Sequence, residues 1–70
     1  ETEEWREKLA ERLESVEAAD EQGADLIENA RAYLEDAAHF QGDDPVRAFE
    51  AVIWGWSWLE IGERLDHITE

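Results

Sequence analysis

Between Pro45 and His67 the chain places apolar side chains around about two-thirds of a helical circumference, far more than the stripe of an ordinary surface helix. Successive residues step by 100°, so Trp54, Trp58, Ile61, Leu65 and Ile68 fall along one strip and Phe49, Ile53 and Trp56 along another. Val52, Gly55, Leu59 and Gly62 fill the arc between them. Glu50, Ser57, Glu60 and Arg64 are confined to the narrow wedge that remains. Read as a strand, Trp54 to Trp58 would have no partner for its backbone groups in an otherwise helical chain. The segment is therefore a helix over about 45–67, and two neighbouring helices do not easily cover all of it.

The rest of the chain supplies those neighbours. Trp5, Leu9, Leu13, Val16 and Ala19 recur at spacings of three and four and predict a first helix over about 3–19, with Thr2 as its N-cap. Asp20-Glu21-Gln22-Gly23 breaks the pattern as a turn. Leu26, Ile27, Ala30, Tyr33, Leu34, Ala37 and Phe40 then define one face of a second helix over about 24–41. In Gly42-Asp43-Asp44-Pro45, Gly42 suits a left-handed position after the second helix. Asp44 suits the next N-cap, and Pro45 fits a first turn, where a missing N–H costs nothing. The expected fold is all-α, an antiparallel up-and-down three-helix bundle forming a single domain over residues 1–70.

A chain of 70 residues buries only about 60% of the surface its unfolded state exposes, so its core is marginal. Without cysteine it has neither a disulfide staple nor a thiolate metal site, and association with another chain is the remaining support. Its net charge of −14 argues against nucleic acid, which requires clustered Lys and Arg, and against an anionic membrane surface. Disorder is excluded by the 43% hydrophobic content and four tryptophans. The composition resembles that of proteins from salt-accumulating archaea, where salt screens the self-repulsion of an acidic surface. No segment reads as a signal peptide or membrane span, so the expected location is a salt-rich cytoplasm.

Tyr33, Asp36, Ala37 and Phe40, the Gly42-Asp43 turn, Arg47-Ala48-Phe49-Glu50-Ala51, Trp58-Leu59-Glu60 and Gly62 together resemble a small archaeal family known as domain of unknown function 357. Trp54 stands where that pattern has tyrosine, Ser57 where it has glycine and Glu60 where it has aspartate. The resemblance covers about half the chain, from Ala32 to Leu65. It implies an archaeal three-helix bundle and assigns no activity.

Three sets of residues are candidates for function. Trp54 and Trp56 lie far apart around the third helix, so at least one, with Phe49 and Ile53, is expected at an interface, while Trp58 belongs with the core. Asp36, Glu50 and Glu60, the polar positions of the family-like pattern, would need partners if buried, and Arg47 and Arg64 at helical spacing supply them. Asp36, His39 and Asp43 share an edge of the second helix and its turn, where one imidazole and two carboxylates would be a donor set for a divalent cation. In a chain with twenty acids such triplets also arise by chance. His67, near the end, is expected to be exposed. No nucleophilic triad and no phosphate loop is present, and no cofactor is implied. The expected function is a protein–protein interaction or self-association module, a homodimer or a complex with a protein partner. The alternative is a small-ligand or catalytic site combining an aromatic pocket with Asp36 or Glu50.

Overall fold

The computed structural model describes residues 2–70, with side chains from Glu3 onward. It contains α1 (Thr2–Ser15), β1 (Glu17–Ala18), α2 (Glu21–Phe40), α3 (Pro45–Arg64) and β2 (Ile68–Thr69). The fold is the expected three-helix bundle. The expected cap at Thr2 lies outside the described side chains.

The helix ends differ from the periodicity in instructive ways. α1 stops four residues short of Ala19, because Glu17 and Ala18 pair antiparallel with Thr69 and Ile68. The amide of Ala19 then donates to the His67 carbonyl at 2.8 Å. α2 begins three residues before Ala24: Asp20 is extended and its carboxylate accepts from the Gly23 amide at 2.8 Å, an N-cap that draws Gly23 into the first turn. α3 ends at Arg64 rather than His67. Leu65 caps it and Asp66 takes a left-handed φ of 63°. The Asp66 amide donates to the Glu63 carbonyl at 3.1 Å and that of His67 to Gly62 at 2.8 Å, the paired bonds of a Schellman ending. That reversal is what brings Ile68 back over the bundle.

The link between α2 and α3 corrects a second expectation. Gly42 is not left-handed, since no glycine of the chain has positive φ, and Gln41 continues the right-handed path. The turn is closed instead by the Asp43 and Asp44 amides, both donating to the Phe40 carbonyl at 3.1 and 2.7 Å. Asp44 does cap α3, accepting from the Arg47 amide at 3.1 Å, with Pro45 in the first turn.

The core is thin and built largely from small residues. Ala30 and Ala37 of α2 are buried with Ala48, Ala51, Gly55 and Gly62 of α3, which lets the two helix backbones approach closely. Leu9, Leu59 and Val52 are the largest fully buried side chains, each contributing about 2 kcal/mol by removing apolar surface from water. Leu13 and Ile68 complete the cluster, and Trp58 packs against it half-buried. Trp56 also packs there, half-buried. Among the described residues, no helix is long and apolar enough to cross a membrane.

Candidate functional site

With the centre of the α3 arc buried by α1 and α2, its two edges remain at the surface, separated by the wedge of Glu50, Ser57, Glu60 and Arg64. On the α1 side, Phe49 is 42% and Ile53 47% exposed, beside Trp5 at 46%. These three, with Val52 and Trp56, line one apolar depression. Trp5 meets Trp56 edge to face, with ring centroids 5.9 Å apart and planes at 84°. The Lys8 ammonium lies 4.8 Å from the Trp5 ring centroid.

Trp56 is also covered by a guanidinium. Arg12 sits 4.7 Å from the Trp56 ring centroid with its side chain only 10% exposed. It binds Glu60 through Nη1 at 2.9 Å, Glu63 through Nη2 at 2.9 Å and Glu70 through Nε at 3.0 Å. Burial alone would lower the Arg12 pKa, but hydrogen bonds to Glu63, Glu60 and Glu70 outweigh it and hold the pKa above the ordinary value. One cation thus ties α1, α3 and the C-terminal segment together. The sequence carried a signal for this: Arg12 follows Leu9 by three and precedes Val16 by four, on the seam of α1 rather than on its solvent face.

On the α2 side, Trp54 is 53% exposed and stacks on Tyr33, with centroids 6.4 Å apart and planes inclined by 21°. Tyr33, Asp36 and Phe40 of α2 face Arg47, Glu50 and Trp54 of α3 across a surface groove of about 230 Å³. Arg47 lies over the Phe40 ring at 5.2 Å. Asp36 and Glu50 take part in no ion pair among the described residues. Farther along, Trp58, Ile61, Leu65 and Leu26 border another hollow.

The buried polar network expected from Asp36, Glu50, Glu60, Arg47 and Arg64 does not form. All five are exposed, and no charged residue is buried among those described. Arg47 reaches back to Asp44 at 4.0 Å instead of forward to Glu50, and Glu60 points across to Arg12 instead of along α3 to Arg64. Each carboxylate keeps its hydration because it stands on the solvent wedge or at a groove rim, and burial would have removed that without a sufficient partner. Asp36, His39 and Asp43 are likewise exposed and do not assemble: among the described residues no group of three or more His, Asp or Glu is placed to hold a metal ion. The His39 ring rests instead edge-on against Phe40, 5.1 Å away. His67 is not free at the chain end; its Nδ1 is 2.7 Å from Asp20 Oδ2. Of the interface set, Phe49, Ile53 and Trp56 share the α1-side depression, whereas Trp54 belongs to the α2-side groove.

A family model described as "Protein of unknown function (DUF357)" matches residues 4–68. Among solved structures, the chain is similar to the crystal structure of protein AF1782 from Archaeoglobus fulgidus, itself described by that family. The identity is 40% and the TM-score 0.87, over 99% of this chain and 87% of the other. No curated protein matches.

Proposed function

This chain belongs to the DUF357 family of proteins of unknown function, and we propose that it is a helical interaction module that self-associates through the α1-side edge of α3. The observation that carries the reading is the apolar depression of Trp5, Phe49, Val52, Ile53 and Trp56, which no other part of the described chain covers. Grouped exposed aromatics and aliphatics of this kind are the usual core of a protein interface. A second copy suits it because the depression itself is uncharged while the rest of the chain is strongly acidic. Two copies at −14 each repel at low salt, and molar salt shortens the screening length to about 3 Å. A salt-rich cytoplasm is the setting this implies.

Sedimentation in molar salt tests the reading. A dimer that Ile53→Glu converts to monomer is expected; a strict monomer at every attainable concentration overturns it. A second reading, a ligand site, is favoured by one observation: the α2-side groove sets Trp54 and Tyr33 beside the carboxylates of Asp36 and Glu50.

A further inference from the structure

We propose that the groove between α2 and α3 receives an arginine side chain from a partner protein, its guanidinium lying on the exposed face of Trp54 between Asp36 and Glu50. The proposal rests on the second reading above, that this groove is a ligand site, and gives that site its chemistry. Trp54 is stacked on Tyr33 and still 53% exposed, and a cation over an aromatic ring is attracted by its negative face. Asp36 on α2 and Glu50 on α3 line the groove and form no ion pair among the described residues; Arg47, which shares the groove, pairs with Asp44 instead. The groove already accommodates one such group, since the Arg47 guanidinium lies over Phe40 at its end.

Charge complementarity selects the occupant. A chain at −14 draws in basic segments and repels acidic ones. Arginine fits better than lysine because its guanidinium is flat, so it stacks on an indole while its edge N–H groups reach carboxylates on both sides. A second copy of this chain is a poor source, having five arginines among twenty acids. An arginine-bearing segment of a basic protein is the better match.

The test uses the whole chain and a capped, otherwise neutral peptide carrying a pair of arginines. Counterparts carry lysine, citrulline or glutamate in their place. Binding is read from the backbone and indole N–H resonances. The arginine peptide is expected to shift Trp54 and its neighbours on α2, to bind on the order of tenfold more tightly than the uncharged citrulline peptide, and to surpass lysine. Trp54→Leu, and separately Asp36→Asn with Glu50→Gln, should each weaken it by a similar factor; Glu28→Gln, which removes an exposed carboxylate of α2 outside the groove, should not. Because both carboxylates are exposed, their variant remains folded even if Trp54→Leu does not. Equal binding of citrulline, or preferential binding of the glutamate peptide through Arg47, overturns the proposal while leaving a ligand groove. Failure of every peptide to shift groove resonances overturns the ligand-site reading with it, and neither result bears on self-association.

Discussion

The α-carbon of Gly23 lies so close to the main-chain carbonyl of His67 that a β-carbon at residue 23 would overlap that oxygen and its carbon. The approach is fixed from both sides. Asp20 caps α2 through the Gly23 amide and holds the His67 ring, while the His67 carbonyl receives the Ala19 amide. Gly23→Ala would ordinarily gain about 0.5–1 kcal/mol by replacing glycine in a helix. Here a backbone atom has to move, and overpacking of that kind costs about 1–3 kcal/mol. The expected outcome is a lower Tm with faster amide exchange at Ala19 and in the β1–β2 pair. Gly42→Ala is the contrasting case: its β-carbon would meet nothing within 4 Å and its φ is not positive. It should raise stability by about 0.4–1 kcal/mol in the same denaturation experiment.

Asp20 also makes the fold sensitive to acid. Hydrogen bonding from the Gly23 amide, and then the contact with His67, hold its carboxyl below the ordinary aspartate value. A carboxyl whose folded value is depressed adds stability above its unfolded value, and that stability is lost as pH falls through the folded one. The loss should therefore fall below the ordinary aspartate range, at the acid end. Asp20→Asn keeps the side-chain oxygen for the cap but not the charge. The difference in Tm between the two proteins should shrink as the pH falls below the ordinary aspartate range; a difference independent of pH there would contradict the assignment.

The same segment shows what the sequence made legible and what it hid. The three helices follow from local spacing, because Leu9, Leu13, Ala30, Ala37, Val52 and Leu59 repeat with the helical period and all are buried. The Asp44-Pro45 start of α3 was equally plain, since capping and the proline first turn are local chemistry. The two-residue strands were not, because Glu17-Ala18 and Ile68-Thr69 have no pattern of their own and pair only once α3 has reversed at Asp66. The candidate site was half legible. Phe49, Ile53 and Trp54 are exposed as the angular count requires. Helix-wheel arithmetic did not register that Trp5 and Arg12 of another helix would both pack on Trp56, and it placed Glu60 with Arg64 when the nearer cation lies on α1.

Arg12 is expected to matter through both its charge and its stem. Arg12→Gln leaves Glu60, Glu63 and Glu70 clustered without a cation and uncovers one face of Trp56. Removing one partner from a fully buried pair costs about 3–5 kcal/mol; here the carboxylates keep part of their hydration, so a loss of about 1–3 kcal/mol is expected. Its salt dependence separates the two contributions. The carboxylate repulsion is screened in molar salt and the packing on Trp56 is not, so the deficit measured by urea unfolding should shrink with added salt without vanishing. A deficit unaffected by salt would assign the role of Arg12 to packing alone.

Asp66 is the one non-glycine residue of the described chain with positive φ. A left-handed conformation is unfavourable for a residue with a β-carbon, and the Schellman ending of α3 requires it at this position. Asp66→Gly should therefore stabilise by up to about 1 kcal/mol. It also removes a negative charge from a chain at −14, so Asp66→Asn, which tolerates the same conformation, serves as the control for charge. A gain for glycine over asparagine isolates the backbone contribution. The reading fails if glycine is the less stable of the two.

Leu9 and Gly55 mark the point where α1 seats on the α2–α3 pair, and each should be costly to change alone. Leu9 is fully buried, so Leu9→Ala should cost about 2–5 kcal/mol through lost burial and the cavity left behind. A β-carbon on Gly55 would stand 2.8 Å from Leu9 Cδ2, while its other neighbours, the Ala30 carbonyl and Tyr33 Cβ, are at 3.4 and 3.5 Å. Leu9 is thus the main obstacle, and because it is enclosed it has little room to turn aside. Gly55→Ala should lose about 1 kcal/mol or slightly more, the helix-propensity gain offsetting part of the overpacking. In the double variant the added methyl enters space that Leu9 has vacated, and the propensity gain is no longer opposed. The two changes should therefore be non-additive by about 1 kcal/mol or more, with the double variant no less stable than Leu9→Ala. Strict additivity in that cycle would mean that the obstacle at Gly55 is the α2 backbone rather than the side chain of α1.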